Sequence, residues 1–189
     1  MKSLLHCKTY VPLAIVVLLV GCSRGKSVGD LSQALSGSKP KIRRDAARAL
    51  GEKAADAEPA VPALTEALND PDPRVRKAAA ATLGKIGAED SQAIAGLVHL
   101  LRDADAKVRG TALVALGKIA PESQDAVRAM AETLKDTDAK VRRSGVEAIG
   151  KMGAQAKEAI PALQNALKDK DRQVRDRAAI ALRRIQEGT

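Results

Sequence analysis

The stretch Asp70–Gly87, with the sequence DPDPRVRKAAAATLGKIG, decides the fold because it recurs in register along the chain. Further copies begin at Asp103, Asp136 and Asp169, and a weaker copy begins at Gly37. The step between successive copies is 33 residues. A fixed period of this size is typical of stacked repeat proteins, in which each unit covers the apolar face of its neighbour. The sequence therefore predicts an all-α fold, an α-solenoid of about five helical hairpins.

Each full unit is predicted to contain two helices, called A and B. Apolar residues at helical spacing place helix A of the first complete unit at about Pro59 to Leu68. An aspartate at the N-cap position is expected to begin each helix B, because its carboxylate accepts hydrogen bonds from free backbone N–H groups. In this unit the cap is Asp72, and Pro73 follows it at the first helical position. The equivalent caps are Asp105, Asp138 and Asp171.

One glycine position inside the predicted B helices indicates close packing between helices. It is occupied by Gly84, Gly117 and Gly150. Helix ends are better placed at Gly87 and Gly153, since glycine readily takes the left-handed conformation that ends a helix. The last unit has Arg183 at the packing position, and a charged terminal unit of this kind keeps a solenoid soluble.

Composition agrees with thin helix pairs rather than a large globule. Hydrophobic residues make up 45% of the chain, but aromatic residues make up 1%, and Tyr10 is the single one. The formal net charge is +9, and it falls to +7 if Lys2 and Lys8 are removed with a leader. Such a charge allows an acidic partner or an anionic membrane surface and concerns association rather than fold. The two cysteines, Cys7 and Cys22, exclude a disulfide framework in the mature domain.

The N-terminal residues have the pattern of an export signal. Lys2 and Lys8 provide positive charge, and the apolar run Val11–Val20 is about half the length of roughly 20 residues that a membrane-spanning helix needs. The run ends in Leu19-Val20-Gly21-Cys22, which resembles a bacterial lipobox. That resemblance implies cleavage before Cys22 and attachment of lipid to this cysteine. An ordinary secreted protein or an uncleaved N-terminal anchor is the alternative.

This reading divides the chain into three parts. A lipoprotein signal peptide covers residues 1–21, lipidated Cys22 and a short tether cover residues 22–29, and the repeat domain covers residues 30–189. The predicted location is the bacterial cell envelope, with the protein lipid-anchored to a membrane. Ser23 after the cysteine favours the outer membrane, facing the periplasm, if the organism is Gram-negative.

The repeated pattern D-x-D-x-x-V-R-x-x-A-x-x-A-L-G-x-I resembles the short HEAT-like repeat of phycobilisome-lyase-type proteins, over about residues 28–187. The resemblance implies that helix B lines the concave side of the solenoid. It also implies a structural ladder of hydrogen bonds between an aspartate and an arginine of adjacent units. The ladder residues are Asp70, Arg76, Asp103, Arg109, Asp136, Arg142, Asp169 and Arg175. Phosphate binding by the row of arginines is the alternative interpretation.

A second row of side chains lies on the predicted outward face of helix B and is a candidate partner-binding face. It comprises Arg74, Lys77, Lys85, Lys107, Val114, Lys118, Lys140, Arg143, Lys151, Ile180 and Arg184. Its ends are basic and its middle varies, so we hypothesise that it binds an acidic protein or an acidic envelope polymer. The alternative is a solvated face with lysines near helix C-termini.

These observations favour a membrane-anchored scaffold for protein–protein interaction over an enzyme. His99 is the one histidine of the predicted mature chain, and no motif places a nucleophile or a carboxylate pair beside it. We therefore expect no catalytic residue, no metal ligand and no cofactor. A bilin-lyase-like or other enzyme accessory protein is the alternative function. Nucleic-acid binding is disfavoured, because the chain is predicted to be exported and lacks stacking aromatics.

Overall fold

A computed structural model describes residues 26–188 as a row of five helical hairpins that follow one another in chain order. The units consist of α1 (Val28–Ala34) and α2 (Pro40–Glu52); α3 (Val61–Glu66) and α4 (Pro73–Ile86); α5 (Ser91–Leu100) and α6 (Ala106–Ile119); α7 (Gln124–Glu132) and α8 (Ala139–Lys151); and α9 (Ile160–Ala166) and α10 (Arg172–Glu187). No strand occurs in these residues. The prediction of an all-α solenoid is confirmed.

The predicted signal peptide, Cys22 and the first part of the tether lie outside the described residues. None of the helices between residues 26 and 188 has the length and apolar character needed to span a membrane.

Aspartate caps begin four of the five B helices, as the sequence predicts. In each case the carboxylate accepts hydrogen bonds from backbone N–H groups two or three residues further on; the caps are Asp72, Asp105, Asp138 and Asp171. These bonds satisfy donors that have no partner inside the helix. Helix α2 lacks such a cap, because Lys39 precedes it, and it begins with Pro40.

The A helices are shorter than the B helices. Helix α3 covers Val61–Glu66 and is flanked by 3₁₀ turns at Glu58–Ala60 and Ala67–Asn69, where the sequence predicted one helix from about Pro59 to Leu68. Pro59 and Pro62 have no N–H to donate, and the tighter 3₁₀ turns satisfy the ends of the short helix.

Glycine brings neighbouring B helices close together. A Cβ built on Gly84 would lie 2.9 Å from the Cα of Ala115, and one built on Gly150 would lie 2.8 Å from the Cβ of Ala181. A Cβ built on Gly117 would likewise lie 3.3 Å from the Cβ of Ala148. The B helices of adjacent units therefore make closer contacts than their A helices do, as expected if the B layer lines the concave side that the HEAT-like resemblance implies. The predicted packing role of these three glycines is confirmed.

Two glycines also end helices near the predicted places. Gly87 caps α4 in the left-handed conformation, with φ of 76°. Gly153 has φ of 55° and follows the end of α8, whose last residue is Lys151.

The core is one continuous band of aliphatic side chains between the two helix layers. Its largest fully buried members include Leu50, Leu64, Leu83, Leu97, Leu116, Met130, Ile149 and Leu163. Burying one such side chain stabilises the fold by about 1.5–3 kcal/mol. Every unit contributes, so each hairpin depends on its neighbours to cover its apolar face.

Candidate functional site

Four arginines near the start of helix B each bind the carboxylate of an aspartate in the following unit. The Nε and Nη2 atoms of Arg76 donate to Oδ2 and Oδ1 of Asp103, at 2.6 and 2.9 Å. The Nη1 atom donates to the backbone carbonyl of Asp70 in its own unit, at 2.8 Å. The pairs Arg43–Asp70, Arg109–Asp136 and Arg142–Asp169 repeat this arrangement. Each arginine therefore joins two units through a bidentate ion pair.

The same carboxylate also shapes the turn before helix B. Oδ1 of Asp103 accepts the backbone N–H of Asp105, at 2.8 Å, and Asp105 is the cap of α6. Burial acts to raise the pKa of Asp103, but the hydrogen bonds from Arg76 and from this N–H bring the pKa below its ordinary value. The bond to Asp103 raises the pKa of Arg76. Both groups are thereby held in their charged forms.

The carboxylate partner of Arg43, Arg76, Arg109 and Arg142 is the aspartate 27 residues later, whereas the residue six positions earlier offers its backbone carbonyl. Arg43, which the sequence analysis did not include, takes part through Asp70. Arg175 keeps the carbonyl contacts, to Asp169 and Lys170, and has no carboxylate partner within residues 26–188. In the other four arginines Nε and Nη2 already bind a carboxylate and Nη1 binds backbone carbonyls, so phosphate binding would require breaking the ladder.

The candidate partner-binding face lies on the B helices α4, α6, α8 and α10. We call it the concave face, after the side of the solenoid on which the HEAT-like resemblance places these helices. All of its residues are exposed except Arg143, which is half-buried. Val114 and Ile180 are 47% and 53% exposed, which is unusual for aliphatic side chains in this fold. They occupy the same register position in units 3 and 5, whereas the exposed Glu147 occupies it in unit 4.

Most cations of this face have no ion-pair partner in the part of the chain that the structure describes. These residues are Lys77, Lys85, Lys107, Lys118, Lys140 and Arg184. Lys151 differs, because its Nζ lies 2.8 Å from Oε1 of Glu147. Arg143 donates to the side chain of Gln173, and Arg74 lies 3.3 Å from Asp72. The unpaired lysines concentrate on α4 and α6.

A groove of about 430 Å³ between α2 and α4 extends the face into unit 1. Arg44, Arg48 and Glu52 line one side of it, and Lys77 and Lys85 line the other. Sequence reasoning missed the two arginines, although the 33-residue register places them at the positions of Lys77 and Ala81. The groove carries more positive than negative side chains.

His99 lies in the A layer, away from the concave face. It is exposed on α5, where Arg102 and Glu132 are among its neighbours in a surface groove. No group of three or more metal-binding side chains was found between residues 26 and 188.

Two of the solved structures that are more than 25% identical to this chain illustrate the shared architecture. One is an engineered protein of a structural genomics consortium, with 27% identity and a TM-score of 0.61, covering 85% of this chain and 80% of its own. The other is the complex of CpcE and CpcF of phycocyanin lyase from Nostoc sp. PCC7120. It has 26% identity and a TM-score of 0.73, covering 88% of this chain and 67% of its own.

A third structure is less similar in sequence and shows the fold alone. It is a designed armadillo repeat protein in complex with the peptide (KR)4, with 21% identity and a TM-score of 0.64, covering 84% of this chain and 81% of its own. No curated protein sequence matches the chain. The profile of the family described as HEAT repeats matches residues 29–116 and 94–183. Because these two matches cover most of the chain, the protein belongs to the HEAT repeat family.

Proposed function

We propose that this HEAT repeat protein is a non-catalytic scaffold at a bacterial envelope membrane, where its concave face binds an acidic protein or an acidic envelope polymer. The observation that carries the proposal is the row of cations on that face that have no ion-pair partner among residues 26–188. Lys77, Lys85, Lys107 and Lys118 belong to it. Unpaired surface cations of one sign attract acidic partners and speed their association.

The chemistry of this face also sets the strength of binding. Tyr10 is the only aromatic residue of the chain, so the concave face has none of the Trp and Tyr anchors that dominate most interfaces. Affinity must then come from lysine and arginine, with Val114 and Ile180 as small apolar contacts. Exposed charges are screened by salt, with a Debye length of about 8 Å at physiological ionic strength. We expect weak, salt-sensitive binding.

A matched pair of charge-reversal variants tests the proposal. K85E/K118E reverses two cations of the concave face, whereas K53E/K157E reverses two exposed cations at connections between hairpins. We expect poly-L-glutamate, measured by calorimetry at low salt, to bind the wild type and K53E/K157E and to bind K85E/K118E at least about tenfold more weakly. Equal weakening in both variants would show that only net charge matters and would contradict a specific face.

The membrane location rests on the sequence of residues 1–22. Each buried methylene contributes about 0.8 kcal/mol, so several acyl chains on Cys22 would hold the protein on a membrane. We expect a palmitate analogue to label the wild type in cells and to leave C22S unlabelled. The wild type should also sediment with membranes. An unlabelled wild type would contradict the lipid anchor while leaving the concave face to be judged by the binding assay.

A second candidate function is that of an accessory subunit for a lyase. The similarity to the CpcE–CpcF complex of phycocyanin lyase favours it, since that likeness covers 88% of this chain. In this role the concave face would hold a protein substrate for a catalytic partner. Stable binding of a bilin or of a bilin-carrying protein would support this function, provided that K85E/K118E loses the binding and K53E/K157E keeps it. Failure of both ligands to bind the wild type would reject it.

A further inference from the structure

The end of unit 5 carries the fifth arginine of the ladder series, and we propose that it is a receptor for an aspartate-bearing turn of another protein. Arg175 is the residue that binds the carboxylate. This surface lies at the end of the row of units, apart from the cations of the concave face, and the proposal does not depend on the proposed function.

Arg175 is held in the same way as the arginines that bind a carboxylate within the chain. Its Nη1 donates to the carbonyl oxygens of Asp169 and Lys170, at 2.6 and 3.2 Å. In unit 4, Nη1 of Arg142 donates to the two equivalent carbonyls at 2.8 and 3.2 Å, and the remaining nitrogens bind Asp169. The Nε and Nη2 atoms of Arg175 have no hydrogen-bond partner within residues 26–188. The guanidinium is therefore positioned in advance, which lowers the entropy lost when a carboxylate binds.

The apolar surface beside this arginine is also open. Leu167 is 40% exposed, whereas Leu68, Leu101 and Leu134 at the same register position are 1%, 5% and 6% exposed. Ala179 is exposed as well, although the equivalent residues in all four earlier units are fully buried. In those units the following hairpin covers this surface and supplies the carboxylate. Unit 5 therefore offers both the charged and the apolar contact that accompany each ladder bond.

Arg183 determines what kind of segment fits. It stands at the register position of Gly84, Gly117 and Gly150, where a Cβ would lie 2.8–3.3 Å from the next B helix. A hairpin cannot stack there at the usual distance, because the arginine side chain occupies the space of that helix. A turn that brings one carboxylate to Arg175 and one apolar side chain to Leu167 needs less room. The geometry favours an Asp-x-Asp turn over a complete repeat unit.

A second copy of this chain does not supply that turn. The first unit has Gly37 and Lys39 at the positions of the two aspartates. The first aspartate of every other Asp-x-Asp turn is already bound to an arginine of its own chain. The Asp-x-Asp turns of residues 26–188 are therefore already occupied, and we assign the site to an acidic turn of this type in a different protein.

The test observes the arginine side chains directly, by NMR of the Nε–Hε groups in the ¹⁵N-labelled protein. The probe is the blocked peptide Ac-Asp-Ala-Asp-Ala-NH₂, which copies residues 103–106, the segment that Arg76 binds. We expect the signal of Arg175 to shift in a saturable way at low salt while the signals of the four paired ladder arginines stay unchanged. The control peptide Ac-Asn-Ala-Asn-Ala-NH₂ should leave the Arg175 signal in place.

Two variants complete the experiment. R175K keeps the charge but loses the planar fork, and we expect it to bind the peptide, followed through backbone amide signals near Leu167, at least about tenfold more weakly. R172Q removes an exposed arginine three residues before Arg175 and should bind the peptide within about twofold of wild type. An Arg175 signal that does not move, or that moves equally with the asparagine peptide, would overturn the proposal. Shifts confined to the concave face would overturn it while supporting the proposed function.

Discussion

Removal of one ladder carboxylate should weaken the whole array, and Asp136→Ala is the variant that tests it. The carboxylate of Asp136 accepts hydrogen bonds from Nε and Nη2 of Arg109, at 2.7 and 2.8 Å, and from the backbone N–H of Asp138, at 2.8 Å. The variant removes all three bonds at once. It also leaves the guanidinium of Arg109 without its carboxylate in a place that water reaches poorly.

The structure sets the size of the effect. The side chains of Arg109 and Asp136 are only 14% and 11% exposed, so solvent screens their attraction little. A hydrogen bond to a charged group contributes about 1.5–3 kcal/mol, but bonds that share the same two side chains do not add fully. Leaving one partner of a buried pair alone costs about 3–5 kcal/mol. Because this pair is not completely buried, we expect the free energy of unfolding to fall by about 3 kcal/mol.

Urea and thermal unfolding measure this change. For a domain of this size about 1 kcal/mol corresponds to 2–4 °C, so we expect Tm to fall by roughly 6–12 °C. Glu132→Ala is the matched control, since its ion pair with Lys135 lies four residues away and both side chains are 72% exposed. Such a surface pair contributes less than about 1 kcal/mol. Amide hydrogen exchange should show the largest loss of protection in α6 and α8.

A double-mutant cycle with Arg109→Met gives the decisive result. If the ladder bond stabilises the junction between units 3 and 4, the double variant should cost clearly less than the sum of the two single variants. Strict additivity, or an Asp136→Ala variant no less stable than Glu132→Ala, would refute the reasoning.

Three further predictions follow from the same geometry. Gly84→Ala should lower Tm, because the new Cβ would lie 2.9 Å from the Cα of Ala115; Gly110→Ala should raise Tm slightly, because its nearest neighbour is Ser144 Oγ at 3.6 Å. Equal shifts in the two melts would contradict the close packing. The ladder bonds hold the pKa of the four paired aspartates low, so the unfolded chain takes up protons first as the pH falls below about 4. The stability that these ion pairs provide should therefore be complete at neutral pH and should be lost as the pH falls through the pKa of the folded-state aspartates. The loss should be less steep in Asp136→Ala than in wild type. Urea titrations at several pH values measure both curves. Poly-L-glutamate binding should weaken strongly between 50 and 200 mM salt, concentrations we choose around the physiological range, and calorimetry that shows no salt dependence would argue against an electrostatic face.

Features that depend on neighbours along the chain were predicted well from the sequence. The N-caps Asp72, Asp105, Asp138 and Asp171 are local, since each carboxylate bonds N–H groups two or three residues away. The same holds for the helix end at Gly87, which needs only one residue in the left-handed conformation. The 33-residue period supplied the number of hairpins because repetition of one unit leaves few other ways to bury its apolar stripe.

Features that depend on how two units meet were less accessible. Arg76, Arg109 and Arg142 each have one aspartate six residues earlier and another 27 residues later, so the sequence pattern alone does not choose between the two. The contribution of Arg44 and Arg48 to the concave groove was missed, because unit 1 is the weakest copy of the repeat. Leu167 is 40% exposed, whereas the leucines at the same register position in units 2, 3 and 4 are buried, and the repeat pattern alone does not distinguish them.

The sequence by itself determined the helical hairpins, their order and the alternation of buried and exposed positions, because periodicity and capping are local properties of the chain. The tertiary structure decided which carboxylate each arginine binds and which cations stay unpaired on the concave side. It also decided where an arginine is poised without a carboxylate among residues 26–188. Those outcomes depend on distances between side chains one repeat apart, and such distances follow from the rise and curvature of the stack.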